Sequence, residues 1–236
     1  MKEKIVLITG GSQGYGKAAA KAFVQAGADV VIAARGEETL QKAQHETGCV
    51  GIIAMDVTRP EDWENRALSF IERRFGRLDV LINNAGGGVV IAELPSQTIE
   101  QIDRSIALNL SSVIYGARTF APMMKRQRSG TIINVASACA KHAWHGWSVY
   151  AAAKWGVIGF SKNLYVELQP HNVRVSCVVP GAGATDFMKH AGEQNMNMRL
   201  KAEDIAQAML SICTLPEHVV VEEMIVWGID QAVVPL

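Results

Sequence analysis

The chain has little with which to cross-link itself, bind metal or cross a membrane. It carries four cysteines, Cys49, Cys139, Cys177 and Cys213, in 236 residues. No two form a C-x-x-C pair or stand at zinc-ligand spacing, so a disulfide scaffold and a zinc module are excluded and buried free thiols are expected. No apolar run reaches the roughly eighteen residues of a membrane helix. The opening Met1-Lys2-Glu3-Lys4 lacks an apolar stretch with a cleavage site behind it, so the expected location is the cytoplasm. Neither sign of charge is in excess, with 23 bases against 23 acids. Nothing therefore draws the chain to nucleic acid or an anionic membrane, and little charge opposes self-association. Aromatics make up only 6%. Repeats, low-complexity linkers and composition breaks are absent too, so one domain over residues 1–236 is expected.

What the chain has is Ala, Val, Ile and Gly in regular alternation of two kinds of segment. Short apolar runs of buried-strand type stand at Ile5 to Ile8, Val30 to Ala33, Val50 to Ala54, Val80 to Ile82, Thr131 to Val135, Val173 to Val179 and Met224 to Trp227. Helical stretches separate them, from about Tyr15 to Gln25, Glu37 to Glu46, Glu61 to Phe75, Thr98 to Arg126, Val149 to Leu168 and Glu203 to Ile212. Strict strand–helix alternation predicts an α/β fold: a single doubly wound, Rossmann-like parallel sheet of about seven strands with helices on both faces. Ligands of such sheets sit outside the carboxyl ends of the strands. Thr9, Arg35, Asp56, Asn83 to Gly86, Ser137 and Pro180-Gly181 all follow a predicted strand and so converge on one edge. The least regular piece, Gly181 to Arg199, reads as a flap over that edge.

Three features carry chemistry. The first turn reads Thr9-Gly10-Gly11-Ser12-Gln13-Gly14-Tyr15-Gly16. Glycine lets backbone approach a ligand closely, and the helix behind offers free N–H groups to a pyrophosphate. The second feature is Tyr150 and Lys154, four residues apart in a helix-favouring run. That spacing puts both on one face, where a cation would lower the pKa of a phenol, ordinarily about 10, toward the working range of a proton donor. The alternative is a solvated lysine on an Ala-rich helix. The third is Ser137, placed to hold a substrate oxygen beside the phenol.

The pattern T-G-x-x-x-G-x-G at Thr9, Gly10, Gly14 and Gly16 resembles that of the short-chain dehydrogenase/reductase family. So do Asn83-Asn84-Ala85-Gly86, Asn109, the set Ser137, Tyr150 and Lys154, and Pro180-Gly181, in the family's order over essentially the whole chain. The resemblance implies a standard-length oxidoreductase that moves a hydride between a nicotinamide cofactor and a carbonyl or secondary alcohol. Tyr150 would exchange the proton, Ser137 would bind the substrate oxygen, and Lys154 would tune Tyr150 and bind the ribose. Asn109 would hold a relay water. The residues expected at the cofactor are Gly10, Ser12, Gln13, Gly14, Tyr15, Gly16, Arg35, Asp56, Val57, Asn83, Ala85, Gly86, Tyr150, Lys154, Pro180, Gly181 and Thr185. The pattern departs from the family at Tyr15, where a small aliphatic residue is usual. Its ring would either narrow the entry near the nicotinamide or pack outward.

Ala33-Ala34-Arg35 holds no acid after the second strand, and a guanidinium suits a 2′-phosphate, so NADP(H) is expected over NAD(H). The alternatives are that Arg35 is a solvated helix-entry residue and Asp56 a turn acid. Trp144 and Trp147 would line an apolar substrate pocket or an interface, and Phe187, Met188, Met196 and Met198 a lid or ordinary packing. His142 and His145 lack a third ligand, so no metal is expected. Apolar residues on two helices (Ile106, Leu110, Ile114 and Phe120; Trp155, Ile158, Phe160 and Leu164) suggest helix pairing into a homodimer or homotetramer. The contrasting reading is an NADP(H)-binding sensor or scaffold without turnover.

Overall fold

The sheet of the computed structural model, which describes residues 1–88, 90–183 and 199–231, is built from β1 (Ile5–Thr9), β2 (Asp29–Ala34), β3 (Gly51–Ala54), β4 (Val80–Asn83), β5 (Gly130–Val135), β6 (Val173–Pro180) and β7 (Glu223–Val226). The strands lie in the order β3-β2-β1-β4-β5-β6-β7, and every neighbouring pair is parallel. The chain winds outward from β1 to β3, returns to place β4 against β1, and winds outward again to β7. The crevice between the ends of β1 and β4 is the point where the winding reverses, which is where such sheets bind ligands.

The helices are α1 (Gly14–Gln25), α2 (Glu37–Thr47), α3 (residues 60–75), α4 (residues 99–127), α5 (Ser148–Leu168) and α6 (Ala202–Thr214). Because strand side chains alternate, each strand feeds two cores. Leu7, Val31, Leu81, Ile132 and Val175 meet Trp63 and Ile71 of α3 and Phe120 and Met124 of α4. Val6, Ile8, Ile32, Ile82 and Val178 meet Phe23 of α1, Leu40 of α2 and Ile205 and Met209 of α6. Burial of each such side chain is worth about 1.5–3 kcal/mol, and none of the central strands shows a polar face. This explains why the strands read as continuous apolar runs.

The sequence reads α3 and α4 as plain helices. Both contain a π turn, at Trp63–Leu68 and Ala107–Ser111. Such turns widen a helix locally and recur at functional sites; the second one carries Asn109. Phe120, Ile158 and Leu164, expected at a helix-pairing face, are buried in the chain's own cores. Periodicity alone does not distinguish the two, because α4 and α5 are apolar on the sheet side as well as outside. Trp155 and Val166 of α5 do face outward, 50% and 67% exposed.

Candidate active site

A cavity of about 1040 Å³ opens at the carboxyl ends of the strands. Its floor begins with the turn between β1 and α1. Gly10 and Gly14 adopt positive φ, 66° and 53°, a region that favours glycine. A Cβ on Gly14 would meet nothing within 4 Å, so its backbone lies bare to the cavity. A Cβ on Gly16 would overlap the Gly10 carbonyl and come within 2.6 Å of Asn84 Nδ2, so only glycine lets α1 start this close to β4. α1 has no acidic residue in its first turn and no side-chain cap. Its leading N–H groups are therefore left for an anion.

Two further loops close around that turn. Thr9 Oγ1 accepts from the N–H groups of Asn84 (3.1 Å) and Ala85 (3.0 Å), and Asn84 Nδ2 donates to the Thr9 carbonyl at 2.9 Å. After β2 and β3, Arg35, Thr39, Asp56 and Val57 line the same space. Burial works against the Asp56 carboxylate. The Thr58 N–H and hydroxyl, at 2.9 and 2.8 Å, with the Arg35 and Arg59 guanidiniums, nevertheless hold its pKa below the ordinary range. A bare glycine turn and an uncapped helix start fit the pyrophosphate of a dinucleotide, and the Arg35 guanidinium lies on the same wall.

At the other end, Ser137, Tyr150 and Lys154 come together. Ser137 starts a short 3-10 turn and accepts the Cys139 N–H at 3.2 Å. Tyr150 and Lys154 are both buried in the first half of α5. Lys154 Nζ donates to the Val135 carbonyl at the end of β5 (2.9 Å) and lies 5.7 Å from the Tyr150 ring centroid. A Cβ on Gly86 would stand 3.3 Å from that Nζ and 3.0 Å from Asn109 Oδ1, a tight fit that glycine avoids. Trp147 meets Tyr150 edge-on, with centroids 5.6 Å apart.

The electrostatics differ from the sequence expectation. The phenol of Tyr150 is pushed up, not down. Burial is the main cause, the neighbouring Cys139 and Tyr15 add to it, and the side-chain hydrogen bond with Ser137 only partly opposes it. Burial also pushes Lys154 down, to about 8. The same desolvation keeps the phenol neutral and weakens the cation beside it.

Comparison with known proteins agrees with this geometry. Residues 4–196 match the short chain dehydrogenase family. An uncharacterized oxidoreductase of Staphylococcus saprophyticus is 32% identical over 238 residues, spanning 96% of each chain. The chain belongs to the short-chain dehydrogenase/reductase family. Among solved structures, a closed serine dehydrogenase complexed with NADP+ superposes with a TM-score of 0.91 at 30% identity, covering 98% of both chains. An alcohol dehydrogenase from the archaeon Thermococcus sibiricus, complexed with 5-hydroxy-NADP, gives 0.89 at 27% identity, covering 98% of this chain and 99% of the other.

Most of the residues expected at the site line the cavity: Gly10, Ser12, Gln13, Gly14, Tyr15, Arg35, Asp56, Val57, Ala85, Gly86, Ser137, Tyr150, Lys154, Pro180 and Gly181. Gly16, expected at the cofactor, is not on the cavity wall but packs against the Gly10 carbonyl. Asn83, expected there too, is not on it either. Its side chain turns into the core beneath α4, donating to Asn134 Oδ1 at 2.9 Å, because a strand's final residue still alternates inward. Its neighbour Asn84 lines the cavity instead. Asn109 is wholly buried, and its amide bonds the Gly87 N–H (3.0 Å) and carbonyl (2.9 Å), pinning the loop after β4. Thr185, Phe187, Met188, Met196 and Met198 lie outside the described residues.

Trp144 and Trp147 are on the cavity wall. His142 packs edge-on against Trp144 and Trp227, and His145 meets Glu93 at 3.2 Å. No metal-binding group of three occurs among the described residues. Sequence reasoning missed Cys139, Arg104, Trp227, Asp230 and Gln231 on the wall. Arg104 is exposed and makes no ion pair among the described residues. In sequence Trp227 reads as the last residue of the final strand, whereas β7 ends at Val226 and leaves the indole free to face the cavity.

The buried lysine sets a pH dependence of stability. Unfolded, its amine keeps its proton to the ordinary 10.5, and folded only to about 8. Between those values the unfolded chain binds the extra proton, so the contribution of Lys154 rises with pH from about 8 toward 10.5. Lys154→Met should remove that rise. Urea midpoints of parent and variant compared from pH 8 upward measure it: the raised Cys213 thiol acts on both proteins alike, whereas Cys177 and Cys139 lose the lowering effect of the Lys154 charge in the variant, which widens the difference between the two profiles at high pH. Parallel pH profiles for the two proteins would show that the amine is not desolvated.

Proposed function

We propose that residues 1–236 act as one cofactor-and-substrate unit, an NADP(H)-dependent oxidoreductase that interconverts a carbonyl and a secondary alcohol. The observation that carries this reading is the shared cavity: Ser137, Tyr150 and Lys154 line the same space as the bare glycine turn and Arg35. The cofactor, when bound, supplies or accepts the hydride. Ser137 holds the substrate oxygen beside Tyr150. In reduction Tyr150 gives its proton to that oxygen as the carbonyl carbon gains the hydride, and in oxidation it takes the proton back. A phenol that burial keeps protonated is ready as a donor. Lys154, fixed by Val135, holds the ribose side of the site and supplies the nearby positive charge that a departing proton requires. The aromatic wall of Trp144, Trp147 and Trp227 suits a substrate with apolar bulk.

The test is Tyr150→Phe. Turnover across a panel of ketones should fall roughly 10²–10⁴-fold while NADPH affinity stays near the parent's. Parent-like activity in the variant would reject the proton-transfer role. NADPH binding by the parent with no oxidation by any ketone would favour a sensor or scaffold.

Arg35 supports NADP(H), as do the NADP-complexed relatives. Arg35→Ala should lower kcat/KM for NADPH roughly ten- to hundredfold and leave NADH nearly unchanged, since a charge-assisted bond to phosphate contributes about 1.5–3 kcal/mol. Equal losses for both cofactors would sink that assignment.

We also propose a homodimer or homotetramer. Trp155 and Val166, three helical turns apart on the outer face of α5, flank Gly159, where a Cβ would meet nothing within 4 Å. A second copy's helix suits that open apolar stripe. Sedimentation as a monomer at micromolar concentration overturns it. No described helix is long and apolar enough to cross a membrane, and the four thiols are free, which suits a cytoplasmic enzyme.

A further inference from the structure

Tyr15 stands in the glycine turn, where the sequence leaves open whether its ring faces the cavity or packs outward. It faces the cavity. The ring leans on the core formed by α1 and α6 and reaches across to the loop after β6. There a Cβ on Gly183 would overlap the Tyr15 hydroxyl and come within 3.1 Å of Cζ. The large residue after β1 and the missing side chain after β6 are complementary. The hydroxyl makes no hydrogen bond among the described residues, and burial alone pushes its pKa up to about 12. The ring is held against the core of α1 and α6 while the hydroxyl stands on the cavity wall with a proton to donate, which points to an acceptor on a ligand.

The position of that acceptor follows from the two ends of the cavity. The backbone of Tyr15 belongs to the α1 start, where a pyrophosphate would sit. Its hydroxyl lies near enough to Tyr150 to raise that phenol's pKa. The side chain therefore runs from the pyrophosphate position toward the proton donor, along the path of the nicotinamide half. The acceptor there that is not a phosphate or ribose oxygen is the carboxamide oxygen.

We propose that Tyr15 is a cofactor-positioning residue whose hydroxyl donates a hydrogen bond to the nicotinamide carboxamide, and that position 183 is glycine to leave room for it. The proposal rests on the reading of the cavity as a nicotinamide dinucleotide site. Its role is to fix the rotation of the ring relative to Tyr150, so that the hydride and the proton reach the same carbonyl group.

The experiment compares the parent with Tyr15→Phe, which keeps the ring and removes the oxygen. Equilibrium affinity is measured without turnover for NADPH, by its fluorescence, and for 2′-phospho-ADP-ribose, which lacks the nicotinamide, by calorimetry. NADPH affinity should fall roughly three- to tenfold, the range for one neutral hydrogen bond. Affinity for 2′-phospho-ADP-ribose and the unfolding midpoint without ligand should not fall. Unchanged NADPH affinity, or equal loss for both ligands, overturns the carboxamide bond while leaving the proposed function intact. A parent that binds neither NADPH nor NADH overturns both. Gly183→Ala tests the pairing: its effect on NADPH affinity should be several-fold smaller in the Tyr15→Phe background, and strictly additive losses would refute it.

Discussion

The hydroxyl of Thr9 joins the two halves of the sheet at the place where ligands enter. It accepts the N–H groups of Asn84 and Ala85, while the Asn84 amide returns a bond to the Thr9 carbonyl. The loop after β1 and the loop after β4 thereby become one rigid rim, and both glycine-lined surfaces depend on it. Gly16 can press against Gly10 and Asn84 only because that rim is tied, and Gly86 leaves Lys154 its place only because the same loop is pinned a second time through Gly87 by Asn109. The π turn carrying Asn109 belongs to this arrangement. It sets the residue on the inner side of α4, so that its amide meets both backbone groups of Gly87.

Burial and charge compete at Tyr150, and burial wins. A lysine on the next turn does not make a phenol acidic when both groups have lost their water. Each then favours its neutral form, so the pair moves apart in pKa, with the phenol up and the amine down. The arrangement is compatible with the proposed proton transfer, because the neutral phenol is the form that donates. A positively charged nicotinamide beside the phenol would favour the phenolate. The acidity of Tyr150 is then a property of the loaded site rather than of the helix that carries it.

Much of this was legible in the chain. The alternation of apolar runs with helical stretches gave the parallel sheet and its number of strands, because a sheet buried on both faces is built from mostly apolar runs. The residues directly after each run marked the cavity edge for the same reason. Legibility stopped where three-dimensional neighbours decide. Asn83 and Asn84 look equivalent in sequence, but strand alternation sends one into the core and the other to the cavity. Phe120, Ile158 and Leu164 carry the same apolar signal as a subunit interface while facing their own sheet. Trp227 and Asp230 reach the cavity because β7 lies beside β6, a pairing that no local pattern announces. The direction of the Tyr150 shift depends on burial, which residue spacing does not report.

The two ends of the cavity obey different physics. Around Arg35, Asp56 and Thr58 the wall is polar and half open to water, so recognition there rests on charge and on backbone N–H groups. Around Trp147, Cys139 and Tyr150 it is aromatic and dry, so a single donor or acceptor weighs more. A ligand spanning both ends is held by the first and oriented by the second. Substitutions at the wet end should therefore alter which dinucleotide binds, and substitutions at the dry end how its reactive ring lies. Tyr15 is unusual in belonging to both, since its backbone opens α1 at the wet end and its hydroxyl reaches the loop after β6 at Gly183. The bulky residue in the glycine turn uses the room that the loop after β6 leaves at Gly183. That exchange of volume between two distant loops ties the site's specificity to the tertiary fold rather than to either motif alone.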